Sequence, residues 1–251
     1  MSRDLVDLHC HILPGVDDGA KTMKDTAALL QKELADGVAG IVFTPHFYYE
    51  RMTPDTFIER RRAAFDKVYA YAKENRLPLA AKLGAEIYFT PALPSLDIRK
   101  LAFAGTRYLL IELPTSHHPD GIEETLFRVR QQGYIPVLAH VERYPYVTED
   151  PTLLYNWVNS GVLAQINASG LVRGGQTAKL LRKYLGWNLV HLLCTDAHSI
   201  DHRPPNLRAG YDALSDDCSS ALRENAVSVF LGRDFYPPEP QKPVYRLGRW
   251  V

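Results

Sequence analysis

Apolar, β-branched runs recur along the chain, each followed by a stretch with helical spacing. Seven of them, at 5–11, 40–46, 81–89, 108–113, 135–141, 163–168 and 190–196, read as strands. Most are continuous apolar runs rather than alternations, as parallel strands covered on both faces require. The helical stretches carry their own punctuation. Thr22 with Asp25 three residues on forms a capping-box pattern, and Gly37 can close that helix in the left-handed conformation. Ala27, Leu30 and Leu34 supply its expected buried stripe. Thr53-Pro54 and Asp150-Pro151 each set a cap residue before a proline at the first helical position, and Gly133, Gly161 and Gly186 follow three further helical runs. Seven strand–helix repeats without a break in composition predict one α/β domain, a (β/α) barrel, over residues 1–235. The proline-rich tail, 236–251, cannot be a helix; it reads as a surface strap or as an arm contacting another subunit.

Size and composition narrow the function more than the fold. A chain of 251 residues suits one barrel, and 46% hydrophobic with 23% charged residues is ordinary for a globular protein. Lys+Arg and Asp+Glu are equal at 29 each, so no global field favours nucleic acid or an anionic membrane, and any attraction for an anion must be local. No apolar run approaches a membrane span. The opening MSRDLVDLHCH carries Asp4 and Asp7 where a secretory leader needs an apolar core. Three cysteines, Cys10, Cys194 and Cys218, are odd in number and lack metal-finger spacing. A cytoplasmic protein with reduced thiols is the expectation.

The chemistry concentrates at the strand ends. His9 and His11 close the first strand in DLHCHILPGVDDGAKT, with Asp18 in the loop after it. His46 ends the second, Glu86 lies late in the third, Glu112 late in the fourth and His140 late in the fifth, while Asp196 and His198 end the seventh. In a parallel barrel these ends form one rim, where active sites gather. An isolated strand-end histidine is ordinarily a hydrogen-bonded surface residue, and His117, His118, His191 and His202 are assigned that role. Ionised Glu86 and Glu112 within apolar strands are different, because each loses several kcal/mol of solvation unless compensated. Alternation along a strand lets His9 and His11 grip one ion while Cys10 points away. Five imidazoles and four carboxylates exceed the needs of one ion and fit two or three. Such N/O ligation without thiolate suits Mn, Fe or Zn better than Ca or Mg. Three divalent ions would outweigh the four carboxylates by two charges and so favour an anion. Arg143 in AHVERYP and Arg203 in DAHSIDHRPP stand beside the cluster, either to fork onto phosphoryl oxygens or to pair with a neighbouring carboxylate.

HCHILPGVDDGAKT, the TPH at 44–46, GAEIYFTP, LLIELP, PVLAHVERY and TDAHSIDHRPP, in that order, resemble the polymerase-and-histidinol-phosphatase (PHP) superfamily. More narrowly they resemble bacterial metal-dependent protein-tyrosine phosphatases of capsule and exopolysaccharide synthesis, over about residues 5 to 210. The resemblance implies a distorted seven-stranded TIM-like barrel with three metals, often manganese. It places His9, His11, Glu86 and Asp196 on one ion, with Glu86 bridging to a second held also by Glu112 and His140. Asp18, His46 and His198 take the third, and Arg143 and Arg203 fall at phosphate-binding positions. It also implies a substrate, the tyrosine-rich tail of a membrane-associated capsule kinase, and transient docking at the inner membrane face.

On this reading, water held between metals becomes hydroxide near neutral pH, since bound cations lower its pKa from 15.7 to about 7, and attacks phosphorus in line. Tyr48 and Tyr49, just after His46, are candidates to stack on the substrate ring. Thiol-based tyrosine phosphatases need an Arg six positions after the Cys. Cys10, Cys194 and Cys218 are followed there by Val16, Ile200 and Glu224. The main rival is a small-molecule phosphoesterase such as a histidinol-phosphate phosphatase. An amidohydrolase would typically need a lysine on strand four, which TRYLLIELP lacks. A non-catalytic, metal-stabilised partner of a kinase fits poorly with nine intact ligand positions.

Overall fold

The structure, a computed structural model, describes residues 4–78 and 80–251. Residues 1–3 of the expected 1–235 unit, which carry part of the leader reading, and Leu79 lie outside the described residues. The barrel wall is made of β1 (Leu5–Cys10), β2 (Val38–Phe43), β3 (His46–Phe47), β4 (Ala80–Leu83), β5 (Glu86–Tyr88), β6 (Tyr108–Glu112), β7 (Ile135–Leu138), β8 (Leu163–Asn167) and β9 (Leu192–Cys194). Helices α1 (Met23–Ala35), α2 (Pro54–Glu74), α3 (Ile122–Gln131), α4 (Pro145–Glu149), α5 (Thr152–Asn159), α6 (Ala168–Val172), α7 (Gly175–Gly186), α8 (Leu207–Asp212) and α9 (Asp216–Leu231) connect and cover it.

Two of the seven expected strands are broken. The 40–46 run divides into β2 and β3, and the 81–89 run into β4 and β5. Pro45, which has no N–H to give a ladder, lies at the first break; Gly84 lies at the second. A Cβ on Gly84 would come within 2.6 Å of Phe103, so the close packing there leaves room only for glycine. Hydrogen bonds carry the wall across both breaks, from Gly84 N to Phe43 O (2.8 Å) and from Glu86 N to Pro45 O (3.1 Å). The result is two parallel sheets, β1-β2-β4 and β3-β5-β6-β7-β8-β9. They meet on the other side where Cys10 bridges Ala197 in parallel and His11 N donates to Ala197 O at 2.8 Å. The barrel is therefore distorted rather than a smooth ring.

Alternate strand residues divide between two cores. Val6, Leu8, Val42, Tyr108, Leu110, Val137, Leu163 and Leu192 form an inner cluster, sealed by Ala226 and Val229 of α9. Their neighbours Ile41, Leu109, Ile111, Ile166 and Leu193 pack outward into the helical layer. Each fully buried Leu, Ile or Val contributes about 1.5–3 kcal/mol. With both faces covered, β1, β6 and β8 are buried at every position, which is why their sequences do not alternate.

The helix signals hold with local shifts. Thr22 and Asp25 make the reciprocal capping box of α1, and Gly37 follows it at φ +90°. Its buried stripe is Thr26, Leu29, Leu30 and Glu33, whereas Ala27 and Leu34 are only half-buried. The stripe is rotated because Glu33 turns inward toward the Thr195 hydroxyl (3.5 Å). Thr53 caps α2, while α5 begins one residue later than expected, with Asp150 accepting from Thr152 N at 3.0 Å. Gly186 is the last residue of α7 rather than its stop; Asn188, at φ +56°, turns the chain. The tail lies along the surface, where Gln241 N donates to Trp187 O and Trp250 Nε1 to Glu149 O. It ends in a small antiparallel hairpin of β10 (Tyr245–Arg246) and β11 (Arg249–Trp250).

The capping box of α1 leads directly from the loop that carries Asp18. Thr22→Ala should lower unfolding free energy by about 1 kcal/mol in urea titration, with an unchanged slope.

Candidate metal centre

Parity places most of the polar rim. Tyr108, Leu110 and Glu112 share the inner face of β6, and Leu163, Gln165 and Asn167 that of β8. Strand β1 breaks its alternation. Its pairing with β2 shifts register between Asp7 and Cys10, so His9 and His11 turn inward after the inward-facing Leu8. Past the ends of β7 and β9, His140 (φ +31°) and Asp196 (φ +52°) adopt left-handed backbone, which redirects each side chain. Such conformations cost a non-glycine residue of order 1–3 kcal/mol and gather at functional sites.

All nine expected ligand residues lie in four overlapping groups whose candidate atoms fall within 4.8 Å of one another. His11, Asp18, His46 and His198 form one group; His9, His11 and Asp196 another; His9, Glu86 and His140 a third; His46, Glu86 and Glu112 the fourth. Glu86 is central and fully buried. Its oxygens lie 2.9 Å from His140 Nε2, 2.9 Å from His46 Nδ1, 3.2 Å from His11 Nε2 and 3.3 Å from His9 Nε2. Asp18 is the exposed member, 3.4 Å from His46 and 3.5 Å from His198. Arg203 and Arg143 both reach Asp196 Oδ2, at 3.0 and 3.4 Å.

The hydrogen bonds around the cluster decide where the ring protons are. His9 Nδ1 faces Gln165 Oε1 (3.1 Å), which also accepts from His140 N, so the histidine nitrogen must donate. His11 Nδ1 donates to Asp17 Oδ2 (2.7 Å), and His198 Nδ1 to Asp196 O (2.8 Å). Each neutral ring therefore presents an Nε2 lone pair inward. Two of these, on His9 and His11, face each other at 3.2 Å. Oε2 of Glu86, Oε2 of Glu112 and Nε2 of His198 have no hydrogen-bond partner. Converging buried lone pairs need a positive charge between them, supplied by protons or by metal. The donor set fits divalent cations.

The proton affinities reflect that shortage of positive charge. Burial opposes ionisation of Glu86 most strongly, yet the imidazoles of His9, His11, His140 and His46 around it hold its carboxyl well below the usual range. Burial likewise works against Asp196, and His9 and His11 overcome it. Burial and then neighbouring Glu86 push Glu112 upward. His9 and His11 resist burial and are raised by the carboxylates around them.

Several supporting residues escaped the sequence reading. Asp17 faces His11 and, despite burial, is held to about 2 by it. Asp17 Oδ2 also accepts from His46 N at 3.0 Å, tying the loop after β1 to β3. The doubled aspartate was the available signal, but only Asp18 was assigned a role. Gln165 and Asn167 carry the support to Asp196 through bonds of 2.8 and 2.9 Å. Gly19 is packed so tightly that a Cβ there would lie 2.0 Å from His11 O. Tyr48 lies tilted against His46 (5.4 Å) and Tyr88 (5.2 Å), whereas Tyr49 is 42% exposed. His191 is a correction: it is buried beside β9, where its Nδ1 accepts from Ala164 N, and burial lowers its pKa to about 4. A backbone donor holds Nδ1 of this ring away from both surface and centre, while its buried Nε2 has no hydrogen-bond partner among the described residues.

Comparison with known proteins follows the same lines. Residues 5–229 match the family model for capsular polysaccharide synthesis, CpsB/CapC. The chain is 35% identical to the putative tyrosine-protein phosphatase CapC of Staphylococcus aureus over 80% of its length and 79% of that protein's. It is 30% identical to the tyrosine-protein phosphatase YwqE of Bacillus subtilis (strain 168), covering 95% and 97%. A solved structure from work on YwqE and on CpsB of Streptococcus pneumoniae, described as unique metal-dependent tyrosine phosphatases, superposes with a TM-score of 0.88 at 28% identity, covering 96% of this chain and all of that one.

Asp17→Asn removes the charge that orients His11 while keeping the shape. It should weaken divalent-metal binding 10–100-fold in calorimetric titration. In the unaltered protein, metal must displace protons from His9 and His11, whose pKa values are raised. Affinity should therefore climb as pH rises from about 5 to 8.

Proposed function

The chain belongs to the capsular polysaccharide synthesis CpsB/CapC family, and we propose that it is a metal-dependent protein-tyrosine phosphatase acting in that process. The observation that carries this reading is the convergence of nine ligand side chains, with inward lone pairs lacking partners, beside two arginines on Asp196. We assign three divalent ions to the centre, manganese before iron or zinc. His9, His11, Glu86 and Asp196 would hold one, Glu86, Glu112 and His140 the second, and Asp18, His46 and His198 the third. When bound, such ions acidify water toward neutral pH and neutralise charge on a phosphoryl group.

The chain's own residues supply the rest. Arg203 and Arg143, each anchored on Asp196 by one Nη1, are about 36% and 44% exposed and keep guanidinium N–H groups for phosphoryl oxygens. Charge that develops on those oxygens in the transition state would strengthen both contacts. Tyr48 and Tyr88 form an aromatic wall beside His46, next to a cavity of about 330 Å³. A phenyl ring fits against it. The phenolate leaving group, of ordinary pKa about 10, needs less help from an acid than an alkoxide does, and no donor is assigned.

Sulfur has no part in the reaction. Cys10 and Cys194 are buried and their thiols pushed well up by that burial; Cys218 is half-buried and raised for the same reason. A reactive thiolate needs the opposite environment. We place the physiological substrate on the phosphotyrosine-bearing tail of a membrane-associated capsule kinase, met at the cytoplasmic face. No helix among the described residues is long and apolar enough to cross a membrane, so contact there would be by docking.

Turnover should favour a phosphotyrosyl peptide over histidinol phosphate in kcat/KM, stop with chelator, return with manganese, and survive Cys10→Ser. Preference for histidinol phosphate would contradict the reading. Tyr48→Ala should lower kcat/KM for aryl phosphates about 3–10-fold and leave alkyl phosphates little affected. An equal loss for both classes would remove the ring-stacking role.

A further inference from the structure

We propose that a cleft beside Asp196 is a second anion subsite, built around Arg173, for an acidic side chain or a second phosphoryl group on the same chain as the scissile phosphotyrosine. This rests on the phosphatase reading and extends it to the residues that flank the target.

The cleft has a volume of about 560 Å³, within the range of small-molecule sites. Asp196 lies at its inner end, so it opens directly from the metal centre; Arg143, Arg203, Arg173, Asn167 and Thr177 line it. Three arginines in one cleft repel one another unless an anion lies between them. Two have a local partner, since both Arg143 and Arg203 reach Asp196 Oδ2. The guanidinium of Arg173 has no hydrogen-bond or ion-pair partner among the described residues. Glu142, the other carboxylate in the cleft, is turned away to Asn167 N, which donates to its Oε1 at 2.9 Å. Beside Arg173, Gly174 and Gly175 leave open space where side chains would project.

Position supports the same occupant. The aromatic wall belongs to the β3 and β5 arc of the mouth, and the cleft to the arc after β7, β8 and β9. A peptide whose scissile ring rests on Tyr48 has its neighbouring residues free to cross the centre toward Arg173. A planar guanidinium without a partner recognises carboxylate or phosphoryl oxygens by paired N–H donors. The expected substrate is thus an acidic or multiply phosphorylated tyrosine segment, not an isolated phosphotyrosine.

The test is equilibrium binding, by fluorescence anisotropy, of peptides carrying a non-hydrolysable phosphonate analogue of phosphotyrosine to the manganese-loaded protein. One peptide has aspartate flanks, a second has a neighbouring phosphotyrosine analogue, and a third has asparagine flanks. The first two should bind about five- to twentyfold tighter than the third, with the margin shrinking as salt rises. Arg173→Gln should reduce that ratio to about one, and Arg173→Lys should restore part of it. No preference in the unaltered protein, or a preference that persists in Arg173→Gln, overturns the subsite. Failure of the unaltered protein to hydrolyse p-nitrophenyl phosphate overturns the phosphatase reading itself, and this proposal with it.

Discussion

The structure depends on one electrostatic requirement. Glu86 is fully buried, its carboxylate ringed by four imidazoles, and three rings of the cluster have Nδ1 committed to oxygen acceptors. Lone pairs therefore converge on one buried space. Without compensating positive charge, that concentration of acceptors would cost several kcal/mol per ion. The costly features of the barrel lead to this point. The bulge in β1, the breaks at Pro45 and Gly84, and left-handed backbone at His140 and Asp196 each spend regularity where a polar side chain turns into the cluster.

The support around the centre is as ordered as the ligands. Asp17 fixes His11 and holds the His46 backbone, Gln165 bridges His9 and His140, and Asn167 passes the network on to Asp196. Rings locked in this way would lose little freedom on binding a cation, so binding energy would not be spent on ordering them. The mouth outside is asymmetric. Aromatic rings stand on the arc after β3 and β5, and guanidinium groups on the arc after β7 to β9. An aryl phosphate entering such a mouth has one preferred orientation.

Much of this was legible in the sequence, because the site's chemistry conflicts with its surroundings. A glutamate within LLIEL and histidines at successive strand ends are costly choices, and costly choices are readable. Capping chemistry was legible for the same local reason, as Thr22, Asp25 and Thr53 show. What escaped was long-range. Asp17 and Asp18 are adjacent and chemically identical, and only the fold reveals that one faces His11 while the other reaches His46 and His198. Gln165 reads as one polar residue in an apolar strand until β8 is placed beside β7. The stripe of α1 rotated because Glu33 meets Thr195, 162 residues away. His191 looked like a surface residue because its partner, the Ala164 N–H, belongs to the neighbouring strand.

Metal content of the purified, metal-replete protein, measured by elemental analysis after removal of free ions, tests the central claim most directly. Three equivalents of divalent metal per chain are predicted. One equivalent or none would mean that protons, not metal ions, balance the buried carboxylates, and would contradict the account.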